Sequence, residues 1–147
     1  MLEFHIPDHR ELVDAFYAMK GWHDEDAGPY AGDFARNALR NCVPMMICRD
    51  GKRLCLFTMY DFEFNTCSCY VYLFERDIGV WRIFPFMMNR IFEVSGLAEI
   101  NCSVSTRRPN SERIARKIGF REVGKTQHNI FFSITKKEVK HGKRRFQ

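Results

Sequence analysis

No stretch of this 147-residue chain approaches the roughly 20 consecutive apolar residues that a membrane-spanning helix needs, which excludes a helical membrane anchor. The N-terminus, "MLEFHIPDHRELVDAF", has no basic segment followed by an apolar one, so no signal peptide is expected and the chain reads as soluble and cytoplasmic. Its six cysteines form no C-x-x-C pair. Cys67 and Cys69, one residue apart, are closer than structural zinc spacing allows, and no metal is expected. The cysteines lie mostly in apolar, strand-like segments and are expected to be buried, reduced thiols. Repeats, low-complexity tracts and internal linkers are also missing, so one domain is expected.

What is present is enough for a substantial core. Hydrophobic residues make up 46% and charged residues 28%, a globular balance rather than a disordered one. Fourteen phenylalanines are too many to leave in water, so most must be internal. The net charge of +5 is unevenly placed. The last twelve residues, "KKEVKHGKRRFQ", carry six basic residues and one acidic, which leaves residues 1–135 neutral. The pI therefore describes the tail and not the domain. Residues 1–135 are read as the domain and 136–147 as a basic tail, either a solvated end or an electrostatic handle for nucleic acid or another polyanion.

Along the chain, "LEFHI" alternates as a first strand over 2–6. A helix follows with Leu12, Val13, Phe16 and Tyr17 at helical spacing, Asp8 as N-cap and Gly21 as stop. An acidic loop, "HDEDAGPYAG", leads to a second short helix with Phe34, Ala38 and Leu39 inward. Two apolar runs flanking Asp50-Gly51 predict a tight hairpin, because that dipeptide tolerates positive φ. "TCSCYVYLF" is the next strand, turning back near 63–65. "RIFPFMMNRIFEVS" has helical periodicity, with Pro85 placed in the first turn if the helix begins near Trp81 or Arg82. "AEINCSVS" is a strand, and "RRPNSERIARKIGFREVGK" (107–125) supplies a short helix capped by Asn110 and ended by Gly119. Two strands close the domain. The order is β-α-α-β-β-β-α-β-α-β-β, antiparallel early and parallel where a strand–helix–strand crossover spans 73–104.

Within that order, Ser111, Lys117, Ile118, Gly119, Phe120, Arg121 and Gly124 resemble the C-terminal signature of the GCN5-related N-acetyltransferase (GNAT) superfamily, especially its branch acting on ribosomal-protein N-termini. The resemblance covers 66–135 by motif and 1–65 by element order. It implies an α/β (α+β) fold with a mixed, mostly antiparallel central sheet flanked by about four helices, and acetyl-CoA as co-substrate. In this family, backbone N–H groups at the third helix's N-terminus cradle the pyrophosphate, after a loop that runs Gln or Arg, two residues, Gly, one residue, then Gly or Ala. Arg76 and Gly79 match it. Trp81 stands where a small residue is usual and either lies outside the loop or closes the site. Short phage-type members look similar there, and Arg82 or Arg76 then compensates electrostatically. If the gene is phage-borne, the location is the host cytoplasm. The resemblance implies cofactor contacts at Leu73, Phe74, Arg76, Gly79, Val80, Trp81, Arg82, Arg108 and Ser111. Residues 73–75 lie along the thioester and 101–104 across from it. The family's pantetheine-binding Asn falls at Arg108, or at Asn110 with a two-residue shift.

Amine acetylation needs a deprotonated amine and a proton for the departing thiolate. The family's usual proton-donating Tyr aligns with Ala115, and Ser111 is that helix's only hydroxyl. Glu75 is the best-placed base and Ser111 its catalytic companion. Glu99, Asp61, Glu63 and His23 are weaker bases, and Tyr70 or Tyr72 is a possible substitute phenol. Three functions stay open: an N-acetyltransferase acting on an amine of a protein, peptide or small molecule; a catalytically degenerate GNAT-fold binding or virion-associated protein; and a nucleic-acid-directed relative using the tail. The acceptor and the oligomeric state are not legible, although Asp24, Glu25, Asp26 and Asp33 would suit a cationic amine.

Overall fold

The computed structural model describes residues 2–19, 30–74 and 80–139, the backbone alone at 80–82. Its strands are β1 (Leu2–His5), β2 (Val43–Arg49), β3 (Lys52–Glu63), β4 (Thr66–Leu73), β5 (Glu99–Ser105), β6 (Arg121–Lys125) and β7 (Asn129–Thr135). The α-helices among the described residues are α1 (His9–Met19), α2 (Ala31–Asn41), α3 (Val80–Ser95) and α4 (Pro109–Ile118). Among the described residues the expected element order is therefore the observed one. The strands join as β1-β2-β3-β4-β5-β7-β6, and β4 pairs with β5 in parallel while the pairs β1–β2, β2–β3, β5–β7 and β6–β7 are antiparallel. This is the mixed, mostly antiparallel sheet that the element order and the resemblance imply.

The chain divides into two compact units, Met1–Asp61 with Cys69–Ile78, and Phe62–Ser68 with Gly79–Gln147. In the first unit, α1 and α2 enclose a core of Leu12, Ala15, Phe16, Met19, Phe34, Ala35 and Ala38, completed by Met46, Cys48 and Leu56 of the strands. Each such large aliphatic or aromatic side chain contributes about 1.5–3 kcal/mol by leaving water. Tyr17 and Leu39, both expected inward, are exposed, and alanines at 15, 31 and 35 join the expected Ala38 on the inner faces. Small residues there let the helices approach closely, so the buried stripe is rotated from the one that large residues alone suggest. Ile6 is likewise exposed, one residue beyond the end of β1.

Asp8 caps α1 as expected. Its carboxylate accepts from the Glu11 N–H at 2.8 Å, and Glu11 reaches back to the Asp8 N–H at 3.5 Å, a reciprocal capping box. The expected stop at Gly21 lies outside the described residues. Asp50 (φ 52°) and Gly51 (φ 77°) form the two-residue turn between β2 and β3. The β3–β4 turn also needs positive φ, but here Phe64 supplies it at φ 53°, with its side chain fully exposed.

In the second unit, α3 packs against α4. Ile83, Phe84, Met87, Met88, Ile91 and Phe92 of α3 are buried, as are Ile100 of β5 and Ile130, Phe132 and Ile134 of β7. Pro85 lies deeper than expected: because α3 starts at Val80, proline is the sixth helical residue. It cannot donate to the carbonyl of Trp81, so the first turn of α3 is held by fewer helical bonds than the rest. After β7 the chain enters a 3-10 turn, Lys136–Glu138, closed by a Thr135–Glu138 capping box, and Val139 is buried. Arg121 ties this end down. It donates to Glu138 at 2.9 Å and lies 3.6 Å from Glu99, although its own strand partner is Ser133 of β7.

Candidate functional site

The second unit contains the starts of α3 and α4 and strand β5, to which the sequence assigns ligand binding; Leu73 and Phe74 belong to the first. The parallel register of β4 with β5 comprises three pairs, Thr66 with Glu99, Cys67 with Ile100 and Ser68 with Asn101. On its other side β5 pairs with β7 along its whole length, from Glu99 with Thr135 to Ser105 with Asn129. The end of β5 leads through Thr106 and Arg107 directly into α4.

The start of α4 is unusual in what it does not close. Its N-cap is Arg108 (φ −120°, ψ 73°), which makes no side-chain cap, and Pro109 is the first helical residue. Arg108 N–H donates to the Ser105 carbonyl at 3.0 Å, and the first intrahelical bond is Glu112 N–H to Arg108 O at 3.2 Å. Asn110 therefore sits inside the first turn and is not the cap. Its side-chain oxygen accepts from Arg113 at 3.0 Å. Proline has no N–H to offer, so the N–H groups of Asn110 and Ser111 are the first-turn donors that no helical carbonyl or capping side chain closes. Ser111 is half-buried, as is Arg108. The helix dipole makes this end electropositive.

Further along α4, Ala115 and Ile118 are buried against the sheet, and Arg116 spans outward with ion pairs to Glu112 at 3.1 Å and Glu122 at 2.7 Å. Its guanidinium also lies 5.1 Å from the centre of the Phe132 ring. The other end behaves as the sequence expects. Gly119 adopts φ 122°, and the N–H groups of Gly119 and Phe120 both donate to the Ala115 carbonyl before buried Phe120 re-enters the core.

The loop residues Glu75, Arg76 and Gly79, and the candidate base His23, lie outside the described residues. Val80, Trp81 and Arg82 are the first three residues of α3, whose backbone N–H groups have no carbonyl four residues earlier within the helix. That suits an anion beside the loop. Leu73 ends β4. Phe74 follows it, donating its N–H to the Leu54 carbonyl at 3.1 Å and packing its half-buried ring on the first unit's core.

Among the weaker bases, Glu99 is in the ion pair with Arg121, and Asp61 and Glu63 are exposed. Tyr70 and Tyr72 stack with ring centres 4.6 Å apart, and Tyr72 meets Phe34 edge-on at 5.4 Å, so Tyr72 belongs to the packing of the first unit. His128 is exposed, in the β6–β7 turn.

All six cysteines are free thiols. Burial pushes Cys67 up to about 11 and raises Cys55 further, with neighbouring Cys48 adding to the shift, so neither is a ready thiolate nucleophile. Among the described residues no cluster of His, Cys, Asp and Glu is arranged to hold a metal, and no helix is long and apolar enough to cross a membrane.

One contact had no signal in the sequence. Thr106 donates its N–H to the His128 carbonyl at 2.9 Å and its hydroxyl to the Gln127 carbonyl at 3.1 Å, fastening the β5–α4 loop to the β6–β7 turn.

No protein-family model matches the sequence, and no curated protein matches it. Solved structures do match. An aminoglycoside acetyltransferase, AAC(6')-Ib, in complex with coenzyme A and kanamycin, superposes with a TM-score of 0.74 at 11% identity, covering 94% of this chain and 96% of that one. The Campylobacter jejuni N-acetyltransferase PseH in complex with acetyl coenzyme A gives 0.71 at 10% identity, covering 92% and 99%. An uncharacterised Bacillus halodurans protein gives 0.75 at 12% identity, covering 93% and 85%. The chain thus has the fold of the GNAT acetyltransferases, as its C-terminal motif implies.

Proposed function

We propose that the protein is an acetyl-CoA-dependent N-acetyltransferase acting on an amine of a protein, peptide or small molecule. The observation that carries this reading is the start of α4, with two open backbone donors flanked by Arg108, within a GNAT fold over nearly the whole chain. Arg108 and Ser111 bind the cofactor there. Gly79, with Arg76, Val80, Trp81 and Arg82, receives the pyrophosphate at the start of α3, and Leu73 and Phe74 lie beside the thioester. The pantetheine arm adds along β5 beyond Asn101, where strand pairing with β4 has ended.

In the reaction the acceptor nitrogen forms a bond to the thioester carbonyl carbon and the carbon–sulfur bond breaks. Glu75 takes the proton from the amine, and the Ser111 hydroxyl relays a proton from solvent to the leaving sulfur, so that the serine stays neutral while Glu75 returns its proton to water. A backbone N–H polarises the carbonyl oxygen.

Titration of acetyl-CoA into wild type and Gly79→Trp tests the assignment. Wild type binds, and the variant loses binding while keeping its melting temperature. Equal binding by both contradicts the loop's role.

A second reading is favoured by Ala115. It is buried where the family keeps its phenol, which suits a GNAT-fold binding protein, virion-associated or otherwise, that has given up catalysis. That reading predicts acetyl-CoA binding without thiol release across a panel of amines. The basic tail adds a separable property: salt-sensitive nucleic-acid binding that disappears when residues 136–147 are removed.

A further inference from the structure

We propose that Thr106 is a positioning residue for acetyl-CoA, holding the start of α4 in its binding geometry through the β6–β7 turn; this rests on the acetyltransferase reading above. The loop between β5 and α4 is short, with Thr106 and Arg107 between Ser105 and the N-cap Arg108. Within it the Ser105 hydroxyl accepts from the Arg107 N–H at 3.2 Å, and the Ser105 carbonyl accepts from the Arg108 N–H at 3.0 Å. These bonds shape the loop but do not fix its direction.

Thr106 fixes it. Both of its donors reach across to consecutive carbonyls of another element, Gln127 and His128. That element is closed by hydrogen bonds of its own. Thr126 N–H donates to the Asn129 carbonyl at 2.8 Å, and Asn129 N–H donates to the Thr126 hydroxyl at 3.1 Å. A helix whose first turn has neither a side-chain cap nor an N–H at Pro109 depends on such outside support to aim its open donors. The hydroxyl bond lies at the surface, where water replaces it when it is lost, so its removal scarcely changes overall stability. Its effect falls on the direction of the Asn110 and Ser111 N–H groups, and a small misalignment there weakens a hydrogen bond to the cofactor steeply.

The test compares wild type, Thr106→Val and Thr106→Ser by calorimetric titration with acetyl-CoA and by amide hydrogen exchange of the ligand-free chains. Thr106→Val removes the hydroxyl at nearly constant shape, and is expected to weaken acetyl-CoA about fivefold, equivalent to losing one modest hydrogen bond. Exchange at Thr106 and Glu112, whose N–H groups are hydrogen-bonded across and just after this loop, quickens, while melting temperature stays close to wild type. Thr106→Ser, which keeps the hydroxyl, stays within about twofold of wild type in affinity. Wild-type affinity in Thr106→Val, or equal losses in both variants, overturns the proposal while leaving the acetyltransferase reading standing. A wild type that takes up no acetyl-CoA overturns both.

Discussion

Helices α1 and α4 begin in opposite ways. At α1 a side chain caps the first turn: the Asp8 carboxylate accepts from the Glu11 N–H, and Glu11 reaches back to the Asp8 N–H. At α4 an arginine that makes no cap precedes a proline, and two N–H groups stay open beside positive charge. Replacing a capping residue by one that cannot cap costs about 1 kcal/mol. The two starts therefore differ in whether a side chain caps the first turn.

The contrast can be broken from either side. The largest effect is expected at the far end of α4, where Gly119 closes the helix at φ 122°. Gly119→Val forces a β-branched residue into the left-handed region and should cost about 2 kcal/mol in urea unfolding. That change loosens the helix as a whole, and acetyl-CoA affinity should fall with it. Removing the cap from the closed start, Asp8→Ala, should cost about 1 kcal/mol and leave acetyl-CoA affinity unchanged. Closing the open start, Arg108→Asp, should do the reverse. The ligand-free chain becomes more stable by about 0.5–1 kcal/mol, and the melting-temperature gain from acetyl-CoA shrinks.

The smallest effect is pH-dependent. Burial opposes the charge on Glu138, but hydrogen bonds from the Thr135 N–H and hydroxyl, together with Arg121, outweigh it and hold the carboxyl below its ordinary value of 4.5. Its contribution to stability is therefore complete above that value and is lost as pH falls through the lower folded one. Glu138→Gln should flatten the acid limb of the stability profile and leave stability at pH 8 lower than wild type.

The two helix starts also mark what was legible in the sequence. Asp8 followed by Glu11 is a local pattern, and local patterns survive folding: Asp50-Gly51 and Gly119 likewise do what their backbone freedom predicts. The start of α4 was legible only in outline. Asn110 is a good capping residue by type, but Pro109 is pre-set for the first helical position, and that moves the cap back to Arg108. Large side chains mark a buried stripe poorly where alanines fill the contact, which is why Tyr17 and Leu39 face outward. Thr106 had no signal at all, since its partners are 21 and 22 residues away on a turn whose carbonyls carry no side-chain identity. The candidate site shares this limit. Its residue types follow from a motif, whereas the direction of its donors depends on contacts between distant segments.

The most direct test of the account is the thermal unfolding of the full chain with and without acetyl-CoA. A ligand that binds only the folded state stabilises it by about 2.7 kcal/mol at a hundred times its Kd, and this predicts a rise of several degrees at saturation. An unchanged melting temperature at millimolar acetyl-CoA would contradict the claim that the open start of α4 is part of a cofactor site.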